Sequence, residues 1–231
     1  MNPEISVPEW EERLAKCIKI LRTHDAEMKH FFGNHVFIPL KINKGRLLDK
    51  DSSDLRMLFF FTCTTRAGGV NVERIKTAMD YFNAQQDSLI EILNAKIDSN
   101  VKFERLCEIV YPERSIGVGQ KIGSLFLELL VVYGGRELGL LPFLYLPIDT
   151  NVWRIFTDKL GVPPVELPKH IIGYKIWQPK FRTFQEKLRR IAEAHDSHRI
   201  HFDYLWYVGH ICGSIKCIEC WLQSICLNKE I

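Results

Sequence analysis

The sequence predicts an all-α fold, and three observations carry that expectation. Apolar residues recur at helical spacing along most of the 231 residues. Asn, Asp or Ser stands in front of several of these stripes, and Gly or Pro closes them. With 46% hydrophobic content the chain buries a sizeable core, as one compact unit or as two small lobes. A formal net charge of only +3 excludes a basic tail protein, so any nucleic-acid surface has to be a local patch. The opening Met1-Asn2-Pro3-Glu4 is polar and acidic, unlike an ordinary signal peptide. No apolar run reaches membrane-spanning length; the longest, around Leu125–Tyr133, is interrupted by Glu128.

Taken in order, Ser6-Val7-Pro8-Glu9 reads as a capping box, and Trp10, Leu14, Cys17, Ile18 and Leu21 form one apolar stripe with Cys17 as a packed thiol. Residues 33–50 break the helical pattern: Phe37–Ile42 reads as extended and Lys44-Gly45 as a turn, which predicts a loop or a short β-like excursion. From Ser53-Asp54 an apolar helix begins with Leu55, Met57, Leu58, Phe59, Phe60 and Phe61. Being hydrophobic all round, it is expected at the centre of a helical bundle. It ends in the polar run Thr62–Gly69.

Three helical stretches follow. Asn71 precedes Val72, Ile75, Met79 and Phe82; Asp87 precedes Leu89, Ile92 and Leu93; and Asn100 precedes Phe103, Leu106, Cys107 and Val110. Next comes a helix with Ile122, Phe126, Leu129, Leu130 and Tyr133 on one face, stopped by Gly134-Gly135. Residues 136–147 are apolar and broken by prolines, as irregular chain or a short helix. Val152, Ile155, Phe156 and Leu160 mark a helix that Gly161 closes, and Val162 to Pro168 reads as an extended connector. Phe181, Phe184, Leu188 and Ile191 mark another helix, whose Arg182, Lys187, Arg189 and Arg190 read first as a solvated face. The aromatic run His201–His210 leads directly into Cys212.

Three features bear on chemistry. Ser115-Ile116-Gly117-Val118-Gly119-Gln120-Lys121 is a G-x-G turn opening a helix, where amides without a shielding Cβ approach an anion such as a phosphate. Lys121 falls in the first helical turn, a poor place for a cation beside the positive end of the helix dipole. Asp149, after Pro147-Ile148 and before a helical pattern, suits an N-cap. Last, Cys212, Cys217, Cys220 and Cys226 form a C-x4-C-x2-C-x5-C run of 15 residues, which reads as a metal site better than as a disulfide framework. Spacing alone leaves zinc and a [4Fe–4S] cluster open, since a zinc ribbon usually has two separated C-x-x-C knuckles.

Together these features resemble the helix-hairpin-helix DNA glycosylases of the endonuclease III superfamily. In that family a G-V-G-x-K hairpin is followed by V-D-T-x-x-x-R and then a C-x6-C-x2-C-x5-C iron–sulfur loop. The order is the same here, and the resemblance covers roughly residues 54–226. It implies a two-lobed fold, with residues 54–145 as a helical barrel carrying the hairpin, and residues 1–53 and 146–231 as a second helical lobe holding a [4Fe–4S] cluster on the four cysteines. It implies Lys121 as a Schiff-base nucleophile and Asp149 as its electrostatic and acid–base partner. Gly117, Val118, Gly119 and Gln120 are then the phosphate contacts, Thr64 stands nearest the position of a DNA wedge, and Lys216 is the one basic residue left in the first cluster spacer. The implied activity is excision of a damaged base from double-stranded DNA followed by β-elimination at the abasic site, by a monomeric protein of the cytoplasm and nucleoid, or of the nucleus. The departures are a four-residue first cysteine spacer instead of six, threonine instead of a wedge glutamine, and a separation of 28 positions between Lys121 and Asp149. They leave two alternatives: mainly an abasic-site lyase, or a DNA-binding iron–sulfur protein of the same fold with little or no glycosylase activity.

Overall fold

The computed structural model describes residues 7–65, 71–112, 118–136, 138–168, 179–212 and 217–228. Among them the regular structure is helical, with no strand. The chain forms two compact units. One is Ala26–Pro147; the other joins the residues up to Asp25 with those from Ile148 onward. No helix among the described residues is long and apolar enough to cross a membrane.

The terminal unit contains α1 (Glu9–Thr23), α7 (Thr150–Arg154), α8 (Pro179–Glu193) and α9 (Tyr204–Ile211). The five stripe residues of α1, Trp10, Leu14, Cys17, Ile18 and Leu21, are all buried, as their spacing predicts. The expected capping box is not how the helix starts. Pro8 is the cap residue, at φ −57° and ψ 138°, with no side-chain cap; Ser6 lies outside the described residues. Proline suits the entrance because it has no amide hydrogen to leave unbonded. Helix α1 packs on α8, and Phe156, Phe184 and Phe202 meet at centroid distances of 5.4 Å (Phe156–Phe184) and 5.9 Å (Phe156–Phe202). The α8 cations are matched locally. Arg189 pairs with Glu186 at 2.6 Å and Glu193 at 2.7 Å, Arg190 with Glu186 at 3.2 Å, and Lys187 with Glu166 at 3.0 Å and Glu11 at 3.2 Å. Neighbouring carboxylates therefore take up much of the positive face read from the sequence.

The central unit is built from α2 (Asp25–Phe32, its first residue counted with the other unit), α3 (Asp54–Thr64), α4 (Val72–Asn94), α5 (Ser99–Val110) and α6 (Gln120–Glu128). Its core is the triad Phe59, Phe82 and Phe126. Phe59 stacks on Phe82 at 4.1 Å, and both meet Phe126 edge-on at 5.3 and 5.5 Å. Three expectations need correction here. Residues 37–42 are not extended: a π turn over Gly33–Phe37 continues α2, turns follow over 38–41, and Val36, Phe37 and Ile42 are buried, whereas the turn expected at Lys44-Gly45 is present as a 3-10 turn over Lys44–Arg46. Burial of Val36 and Phe37 carries the helix past Gly33, and it stops before Pro39. Helix α3 is not apolar-buried all round, since Met57 and Phe60 are 38% and 41% exposed. The stretches before and after Asp87 form one 23-residue helix, because an exposed aspartate with no glycine or proline beside it does not stop a helix. Asn71 does cap α4, accepting from Arg74 N at 3.0 Å. The cap of α5, however, is Asp98, which accepts from Asn100 N at 2.9 Å and from Val101 N at 3.3 Å.

Candidate functional site

The start of α6 is fixed from below. Gln120, the first helical residue, is buried, and its Nε2 donates to Leu146 O at 2.8 Å and to Ser124 Oγ at 3.1 Å. Ser124 Oγ also lies 3.0 Å from Tyr111 Oη, at the end of α5. Gly123, one turn on, lets the two helices touch: a Cβ there would stand 2.6 Å from Val110 O and 2.7 Å from the Tyr111 ring. The approach is local, at the C-terminal end of α5, whose wider packing is against α4 and the 3-10 turn over Leu138–Phe143, and the sequence reading did not single out Gly123.

Gly119 is different. It sits in extended backbone at φ −106° and ψ 178°, and among the described residues nothing lies within 4 Å of where its Cβ would be. Neither strain nor crowding demands a glycine there. Val118 is buried, whereas Lys121, the second helical residue, is only half-buried. Ser115, Ile116 and Gly117 lie outside the described residues. Thr64 ends α3, and its hydroxyl donates to Phe61 O at 2.9 Å, so it is turned back on its own helix. Arg66–Gly69 lie outside the described residues.

In the terminal unit, Asp149 caps α7. Its Oδ1 accepts from Val152 N at 2.9 Å, and its carbonyl accepts from Trp153 N at 2.8 Å. The helix is short and continues as a π turn over Ile155–Lys159. The predicted stripe of Val152, Ile155, Phe156 and Leu160 is fully buried, and Gly161 closes it at φ +70°.

Cys212, Cys217, Cys220 and Cys226 line one cavity of this unit, closed from the side by Ile155 and Val208. All four are free thiols of intermediate exposure. Burial raises the Cys220 thiol, an amide contact from Leu222 opposes this, and the other three cysteines push it further up. Three more free cysteines, Cys17, Cys63 and Cys107, are buried. Burial also drives the Cys17 thiol far up, and nearby Cys220 adds to that. Among the described residues no three His, Cys, Asp or Glu side chains already stand at ion-gripping distances. The donor set nonetheless fits a thiolate-bound group: four unoxidised sulfurs on one cavity, with no competing acid among them. Lys216 lies outside the described residues.

No family model matches the chain, and neither does any curated protein or solved structure.

Proposed function

We propose that this chain is a DNA-repair glycosylase with abasic-site lyase activity, carrying a [4Fe–4S] cluster on Cys212, Cys217, Cys220 and Cys226. The observation that carries the reading is the opening of α6. Gly119 is the N-cap of α6, with open space around its Cβ position among the described residues, and it stands two residues before a half-exposed lysine. Glycine is a favoured N-cap that adds no side chain, which leaves the Gly119–Gln120 amides open to the close approach of a phosphate.

In the proposed reaction the target nucleotide leaves the duplex stack. The unprotonated Lys121 Nζ attacks C1′ as the glycosidic bond breaks. The bonding pair leaves with the base, which takes up a proton. Opening of the sugar ring gives a protonated Schiff base between Nζ and C1′. Loss of a C2′ proton then expels the 3′ phosphate, and water returns the lysine. The Asp149 carboxylate serves the positive charge that builds on the sugar and the proton movements at the base and C2′. When bound, the cluster supplies four metal–thiolate bonds that tie the C-terminal loop together; no step of the reaction passes through it.

Borohydride reduction of protein mixed with DNA containing one abasic site tests the reading. Wild-type protein is expected to give a cross-linked band on denaturing electrophoresis, and Lys121→Gln to lose the band while still binding the DNA. Cross-linking that persists in Lys121→Gln would assign the nucleophile to another amine. No cross-link in metal-loaded wild type would leave a DNA-binding protein without the lyase step.

A further inference from the structure

The thiol cavity has a neighbour that the cysteine spacing does not reveal: the N-terminal helix α1. Two points on it bear on the C-terminal residues, Arg13 by way of Gly161 and the cap residue His24 directly. Arg13 Nε donates to Leu160 O at 2.8 Å. A Cβ on Gly161 would stand 2.9 Å from Arg13 Nη2 and 2.7 Å from Leu227 Cδ1. One turn on from Arg13, Cys17 is fully buried. At the helix end, the His24 ring stacks on Trp221, the residue after Cys220, with centroids 3.8 Å apart and planes 7° from parallel. Positions 13, 17 and 24 share one helical face.

The segment on the other side folds as a string of turns. Residues 217–228 contain one short 3-10 turn, Cys217–Glu219, followed by further turns around the buried Leu222. The end of this segment is pinned by Leu227 N to Lys159 O at 2.9 Å and by Asn228 Nδ2 to Asp158 O at 2.7 Å. Three of the four thiols lie within it, and its Trp221 indole meets the rings of His24 and Tyr207.

We propose that docking of α1 and filling of the four-thiol site are one coupled event, with the His24–Trp221 stack as the link. A group bound by the four sulfurs fixes residues 217–226, and fixing them fixes the surface on which His24 rests. Binding free energy at such a site acts as folding free energy for whatever the site orders. The coupling is reciprocal, so loosening α1 weakens retention of the bound group. The inference rests on the reading that the four thiols take up a metal group. It does not depend on what reaction the protein catalyses.

Hydrogen exchange on the full-length protein tests it, with iron, zinc and sulfide measured on the same samples. Stripping the metal with a chelator under anaerobic, reducing conditions is expected to speed exchange of the α1 amides at least tenfold. The α5 amides in the other unit are expected to change less than twofold. In the reverse direction, His24→Ala is expected to lose its metal to the chelator several-fold faster than wild type. His35→Ala, which removes a stacked ring of the central unit, is expected to lose it at the wild-type rate. Unchanged α1 exchange in protein shown to have lost its metal overturns the coupling and leaves the metal site standing. Equal acceleration in α5 also overturns it, as general unfolding. A chain that takes up no metal under any reconstitution overturns both readings.

Discussion

Gly123→Ala isolates the contact that joins α5 to α6. The added Cβ would fall 2.6 Å from Val110 O, and 2.7 and 2.8 Å from Tyr111 Cε1 and Cδ1. Val110 O belongs to the backbone and cannot swing aside. The Tyr111 ring could move only by breaking its 3.0 Å contact with Ser124 Oγ, on which the Gln120 anchor also converges. Overpacking of this kind costs about 1–3 kcal/mol, and loss of the buried hydrogen bond about 1 kcal/mol. Replacing glycine by alanine inside a helix returns about 1 kcal/mol. The net loss is therefore about 1–3 kcal/mol, which at roughly 2–4 °C per kcal/mol for a chain of this size lowers Tm by about 2–12 °C. Gly119→Ala is the matched control: open space around its Cβ position leaves only the loss of a glycine N-cap, about 0.5–1 kcal/mol. Thermal unfolding of the three proteins side by side makes the comparison. A Gly123→Ala protein that melts at or above the wild-type temperature would refute the packing argument. So would a Gly119→Ala protein that falls as far.

Protein purified without oxygen is expected to be brown and to hold iron and acid-labile sulfide in near-equal amounts; stoichiometric zinc without sulfide would sink the cluster assignment. Asp149→Asn keeps a capping oxygen and is expected to melt within a few tenths of a kcal/mol of wild type, whereas Asp149→Ala loses about 1 kcal/mol. An Asn variant that retains full glycosylase activity would confine Asp149 to its capping role. The Arg189 guanidinium, with Arg190 adding to it, holds the Glu186 carboxyl down at about 2. Between its ordinary value of 4.5 and 2 the unfolded chain binds the extra proton, so this group's stabilisation is complete above about pH 4.5 and fades as pH falls through 2. The side chain is 38% exposed, so added salt should flatten that part of the acid-unfolding profile; a Glu186→Gln protein with an unchanged profile would refute the assignment.

Where burial alone decides, the helices were legible. The stripes of α1 and α5, and that of Val152, Ile155, Phe156 and Leu160, are buried residue for residue. Errors arose where a local signal competed with packing. Asp87 has the chemistry of a cap, but a cap needs the chain to turn before it, and nothing at Gln85-Gln86 makes the turn. Asp98 and Asn100 are both competent caps two positions apart, and Asp98 took the role with extended backbone at ψ 140°. The break expected from residue 33 falls instead after Phe37, because the chain there buries Phe32, Val36 and Phe37. A glycine penalty of around 1 kcal/mol at Gly33 yields to three such side chains, each worth about 1.5–3 kcal/mol when buried.

The candidate sites divide along a different line. Spacing gathers what lies close in sequence: four cysteines within 15 residues line one cavity, and the G-x-G turn leads into a helix with its lysine in the first turn. Spacing is blind to a partner that arrives from the far end of the chain. His24 and Trp221 are 197 positions apart in sequence, and nothing near either residue announces their stack. It is visible only because the first and last segments fold into one unit. The same holds for Gly123. Its need for a missing Cβ comes from Val110 and Tyr111, so it has no signature until the end of α5 and the start of α6 are in place. Gly119 is the converse case: among the described residues its neighbours leave room for a side chain. Substitution at Gly123 should therefore show in the melting temperature, whereas the phosphate contact proposed for Gly119 is to be read from DNA binding.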